Sequence, residues 1–166
     1  MMLKETIHQQ HLDLQELFLQ HQEALLLGEF EQAKVCLEGY RQCLQAHMQL
    51  EEQHVFPAFT TIERKSRWDV SVYEQEHEKI NSLYETLVTD LTWLMQQQLN
   101  ASQKKRNIIA LLDHEKTFKG LTEHHEEREE DALLQELDEQ LDQKIIGELI
   151  TKLDSAWKQI TSPMKR

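Results

Sequence analysis

The chain has 166 residues, a net charge of -12, and only 4 Gly and 2 Pro. That length suits a single domain that buries roughly two-thirds of its unfolded surface, and the scarcity of helix breakers points to helices and away from strands. The acidic balance counts against a nucleic-acid backbone or an anionic membrane surface as partner, since both would repel the chain.

In chain order the hydrophobic pattern predicts four long helices and a shorter fifth. Helix one is expected over Leu3–Leu27, with an inner seam of Ile7, His11, Leu14, Phe18, His21 and Leu25 and a stop at Gly28. Helix two carries Leu37, Tyr40, Leu44, His47, Glu51 and His54 on its seam, and Pro57 marks its last turn or a kink. A polar connection from Thr60 to Asp69 leads to helix three, whose seam is Tyr73, His77, Ile80, Tyr84, Leu87, Leu91 and Leu94. After the break at Asn100-Ala101-Ser102, helix four is expected over Gln103–Leu137, with Leu111, Glu115, Phe118, Thr122, His125, Glu129 and Ala132 inside. A last amphipathic segment around Ile146, Leu149, Ile150, Leu153, Trp157 and Ile160 docks outside, to cap the monomer or to form a homodimer contact. The expected fold is all-α, an up-down-up-down antiparallel four-helix bundle over residues 1–137, with residues 138–166 as an added C-terminal helix on the same domain.

Two strings carry chemistry: His47-Met48-Gln49-Leu50-Glu51 and His125-Glu126-Glu127-Arg128-Glu129. In a helix, residues i and i+4 share a face, so each string brings an imidazole and a carboxylate to a common ion. Among 9 His and 30 acidic residues such pairs arise by chance, so their placement decides. His11 and His47 lie at nearly equal distances on either side of Gly28, and His77 and His125 at equal distances on either side of Ala101, so each hairpin brings its two histidines to one height. The connection between the hairpins puts both pairs in one layer. Each hairpin supplies a lone His followed by His-x-x-x-Glu. The candidate metal ligands are therefore His11, His47, Glu51, His77, His125 and Glu129, a pseudo-twofold set suited to two ions bridged by Glu51 and Glu129.

The string His47-Met48-Gln49-Leu50-Glu51-Glu52-Gln53-His54-Val55-Phe56-Pro57 resembles the helix-two pattern of the hemerythrin-like (HHE cation-binding) family, His-x-x-x-Glu-Glu-x-x-apolar-Phe-Pro, and His125 to Glu130 followed by Leu133-Leu134 echoes it. The resemblance covers roughly residues 5 to 137 and implies a four-helix bundle with a non-haem di-iron site. Oxygen-carrying members have a fifth histidine one turn before the helix-three ligand and usually an aspartate five residues after the helix-four histidine; here those places hold Tyr73 and Glu130. In ligand pattern the chain is more similar to the di-iron domain of bacterial iron-centre repair proteins. The implied cofactor is two non-haem iron ions, with Zn or Mn as substitutes, and the implied small ligands are dioxygen, nitric oxide or peroxide. Imidazole and carboxylate donors suit these metals, and the absence of thiolates from the layer disfavours an iron–sulfur cluster.

Two function classes follow. The protein binds or senses dioxygen, nitric oxide or iron, or else it is a di-iron enzyme or iron donor acting under peroxide or nitric oxide stress. A metal-free helical interaction module is the lesser alternative. Tyr73, one turn from His77, is a candidate catalytic hydrogen-bond donor or a core residue, and Glu74 a second candidate proton donor. His8 and His124 are alternatives to His11 and His125, His54 is a capping or outer residue, and His21 is expected near the bundle end with His114. A ferritin-like reading of Glu51-x-x-His54 and Glu74-x-x-His77 falls on consecutive helices and finds no glutamate on the seam of helix one. Cys36 and Cys43 lie about 10 Å apart along one helix, too far for a disulfide. With no signal-peptide pattern at the N-terminus, the expected location is cytoplasmic.

Overall fold

A computed structural model describes residues 1–164. Four helices form the bundle: α1 (Leu3–Leu26), α2 (Phe30–Leu50), α3 (Val70–Met95) and α4 (Ala101–Arg128). Packing runs α1 on α2, α2 on α3, α3 on α4 and α4 back on α1, which closes the antiparallel ring. No strand occurs among the described residues. A fifth helix, α5 (Gln143–Thr161), lies against α1 and α2 of the same chain through Ile146, Leu149, Leu153 and Trp157.

Local sequence explains the ends. Gly28 adopts φ 71, the left-handed residue that closes α1, with its N–H donating to Leu25 O at 2.9 Å. Asp69 caps α3, Asn100 and Gln103 form a capping box on α4, and Asp142 caps α5. Asn100 thereby starts α4 at Ala101 rather than Gln103. The N-terminus of α1 is held from across the fold: the Asp138 carboxylate accepts from Leu3 N at 2.7 Å and Lys4 N at 2.9 Å. Glu136 accepts from Lys65 N and Ser66 N and so ties down the long middle connection.

Both metal-string helices widen at the same point. A π-helical turn, Glu51–Val55, continues α2 into a last α-helical turn, Phe56–Phe59. A second, Glu129–Leu133, continues α4 into Leu134–Gln140. Each begins at a proposed bridging glutamate, as widened turns often do at functional sites. The extra residue shifts the inward face by one position. Val55, Phe56 and Phe59 are buried where the α-helical seam predicted His54, and His54 is left half-buried; that expectation is corrected by the local change of helical period.

One heptad from each histidine of the ligand layer, along its own helix, stands an aromatic ring: Phe18, Tyr40, Tyr84 and Phe118, one from each bundle helix. They are buried, with ring centres 5.1 Å apart for Phe18–Tyr40 and 5.4 Å for Phe18–Phe118. This layer is the rigid floor of the site. Below it, His21 is buried and corrects the expectation that it sits with His114. Its Nδ1 lies 2.8 Å from Ala33 O and its Nε2 2.8 Å from Glu115, whereas His114 pairs with Asp90 at the exposed surface. The two cysteines are unpaired, and Cys43 is buried. Among the described residues no helix is long and apolar enough to cross a membrane.

Candidate metal centre

The bundle brings His11, His47, Glu51, His77, His125 and Glu129 into one buried layer, each no more than 4 % exposed. Two overlapping groups form there: His11, His47, Glu51 and Glu129, and Glu51, His77, His125 and Glu129. Within each group the facing donor atoms lie within 4.8 Å of one another, and the two glutamates belong to both. The histidine pairs repeat one geometry, with ring centres 4.9 Å apart and steeply inclined planes for His11–His47 and for His77–His125. The pseudo-twofold relation is therefore spatial as well as sequential.

Each imidazole turns Nδ1 outward to a polar side chain. His11 meets Glu130 at 2.7 Å, His47 meets Gln10 Oε1 at 2.8 Å, His77 meets Glu52 at 2.8 Å and His125 meets Glu76 at 3.3 Å. An Nδ1–H donated outward leaves a lone pair on Nε2 directed inward, which is the tautomer that ligates metal. Inside, Nε2 of His47 lies 2.7 Å from Glu51, and Nε2 of His125 lies 2.6 Å from Glu129. These contacts are short but lack hydrogen-bond direction: Glu51 Oε1, both oxygens of Glu129 and His11 Nε2 are buried without a hydrogen-bond partner. The Nε2 atoms of His77 and His125 face each other at 3.1 Å. Buried acceptors without a hydrogen-bond partner are costly unless a cation lies between them. The donor set fits a metal.

Electrostatics agrees. Burial by itself would lower the imidazole pKa values, but the glutamates outweigh it. Glu129, Glu130 and Glu51 hold His11 well above its ordinary value, and contacts with Glu129 and Glu51 bring His77 to about 11. His125 rises to about 9 beside Glu129 and Glu76. Burial would raise Glu51, yet His47, His11 and His77 hold it well below the usual carboxylate range. The layer demands positive charge at its centre, and without metal only protons supply it.

The remaining candidates fall outside the layer. His8 is exposed and shares Glu130 with His11 at 2.9 Å, as an outer contact. His124 is exposed beside Glu127. Tyr73 is fully buried between the rings of Phe56, Phe59 and His125, and its hydroxyl donates to Arg128 O at 3.4 Å. Burial pushes its phenol pKa far up. Glu74 is exposed. The outer partners Gln10, Glu52 and Glu76 were missed by sequence reasoning, and Glu130 was seen only as a departure from a family pattern. A signal was present, since each is the immediate sequence neighbour of a candidate ligand. A cleft of about 190 Å³ between α1 and α4, lined by Leu14, Phe18, Tyr40, Phe118 and Thr122, begins one helical turn from His11 and His125.

Comparison with known proteins agrees with this geometry. Neither the curated proteins nor the solved structures gave a match. The profile of the family described as Hemerythrin HHE cation binding domain matches residues 2–92, which hold α1, α2 and most of α3 with His11, His47, Glu51 and His77. His125 and Glu129 lie beyond that match and join the layer through the packing of α4. The chain belongs to the hemerythrin HHE cation-binding domain family.

Proposed function

We propose that His11, His47, Glu51, His77, His125 and Glu129 hold two non-haem iron ions, Glu51 and Glu129 bridging them, and that the protein binds or senses dioxygen, nitric oxide or iron. The observation that carries this reading is the set of buried inward donor atoms without a hydrogen-bond partner, His11 Nε2, Glu51 Oε1 and both Glu129 oxygens, at the centre of a pseudo-twofold layer. When bound, such a pair would supply redox chemistry and a place for a small ligand, because two imidazoles and two shared carboxylates would not saturate each ion. The protein's own residues orient the imidazoles through the outer acceptors and exclude water with Phe56, Tyr73 and Trp157.

Elemental analysis of untagged protein purified without added metal tests the proposal. About two irons per chain with near-ultraviolet charge-transfer absorption is the expected result. No metal, and none taken up anaerobically from ferrous iron, would overturn it and favour the interaction module.

The enzymatic alternative, a di-iron enzyme or iron donor in peroxide or nitric oxide stress, would give Tyr73 a part. Its hydroxyl is already committed to the backbone at Arg128. Tyr73→Phe is therefore expected to cost about 1 kcal/mol of stability, the worth of one hydrogen bond, and to leave metal content and ligand affinity unchanged. Thermal unfolding and metal analysis check this. Loss of nitric oxide or peroxide turnover with ligand affinity intact would instead establish Tyr73 as catalytic.

A further inference from the structure

The outer partners of the four imidazoles obey the same twofold relation as the ligands, with one break. Glu52 follows Glu51 and reaches His77, as Glu130 follows Glu129 and reaches His11. Glu76 precedes His77 and reaches His125, as Gln10 precedes His11 and reaches His47. Three partners are carboxylates and the fourth is an amide.

Burial explains the exception. The side chains of Glu52, Glu130 and Glu76 are 48 %, 18 % and 13 % exposed, so water reaches their charge. Gln10 is 1 % exposed. It lies on the side of the bundle where α5 packs on α1 and α2, with the Trp157 ring 6.0 Å from His47 and the indole N–H donating to Asp13 at 2.8 Å. An uncompensated carboxylate there would lose its hydration, whereas an amide accepts the imidazole N–H without charge. The Gln10 amide nitrogen itself has no partner, so the residue is retained for its oxygen at some cost.

The exception has a chemical consequence. An imidazole whose N–H is held by a carboxylate is a stronger metal donor than one held by a neutral acceptor. Arg128 sits on the second oxygen of Glu76, which keeps that carboxylate ionised and leaves its first oxygen to His125. We propose that Gln10 is a positioning residue that makes the two half-sites unequal. The ion between His77 and His125 binds first and more tightly; the ion between His11 and His47, beneath the C-terminal helix, binds second and leaves first. This inference rests on the two-metal reading above.

The test is an anaerobic titration of the metal-free full chain with Co(II), followed by its visible bands and by heat. Two resolved steps are expected. Glu76→Gln should weaken the first step about 10–100-fold, the usual cost of losing an outer carboxylate, and leave the second in place. Gln10→Glu should strengthen the second step and leave the first. Because Gln10→Glu buries a charge, Glu76→Gln decides alone if the former does not fold. Two ions bound with both steps weakened equally by Glu76→Gln, or neither changed, would overturn the inequality while sparing the two-metal reading. No Co(II) uptake by the unsubstituted protein would overturn that reading, and the inference with it.

Discussion

Protein carrying both Glu51→Gln and Glu129→Gln is expected to fold and to contain no metal. Each carboxylate belongs to both ligand groups, so one substitution weakens two ions and the pair removes every anionic donor from the layer. A glutamine keeps the shape and offers only a neutral oxygen, which does not offset the charge of a divalent ion. The loss should therefore exceed the roughly 10–100-fold in affinity that removal of an outer partner costs. Helicity should persist, because the core of Phe18, Tyr40, Tyr84 and Phe118 and the caps at Asp69, Asn100 and Asp142 lie elsewhere. The contrast appears in thermal unfolding. The unsubstituted protein gains about 4 kcal/mol for each ion bound when free metal stands at a thousand times that ion's Kd, and the double variant gains nothing. Stoichiometric metal retained by the double variant would sink the proposed site.

The helical seams were legible because so few Gly and Pro interrupt them: the buried face of α3 is the sequence seam from Tyr73 to Leu94, residue for residue. The level of the ligand layer was legible for the same reason, since uninterrupted helices make residue counts proportional to height. The π-helical turns were not. The hydrophobic pattern around Glu51 and Glu129 reads equally well at the α-helical period, which puts His54 in the place that Val55 takes in the structure. The pairing of His21 with Glu115 is written in the same residue counts, since the two lie at equal distances along their helices from His11 and His125. The outer partners were hidden because alternation of face within a helix sends the neighbours of an inward residue to its flanks, where only the adjacent helix decides what they touch.

Metal uptake at neutral pH is expected to release protons, and removing the metal to make stability fall as pH rises. In the metal-free protein His77 and His125 have folded values of about 11 and about 9 against an ordinary 6.5, and His11 is also raised. A group whose pKa is raised on folding stabilises the fold fully below its unfolded value and loses that contribution as pH climbs through its folded value. The metal-free protein should therefore be less stable at pH 9 than at pH 6.5, with a further decline toward pH 11. A metal ion needs the same imidazoles neutral, so it replaces protons at the centre, and its affinity rises with pH over that window. The loaded protein supplies the central charge permanently and should not share the alkaline decline. Calorimetric unfolding with and without metal across this range would show the two curves separating as pH rises. A pH indicator in weakly buffered solution would register the protons as metal is added. Curves that stay parallel, or uptake without proton release, would show that the imidazoles are neutral before the metal arrives, and that Glu51 and Glu129 do not hold protons on them.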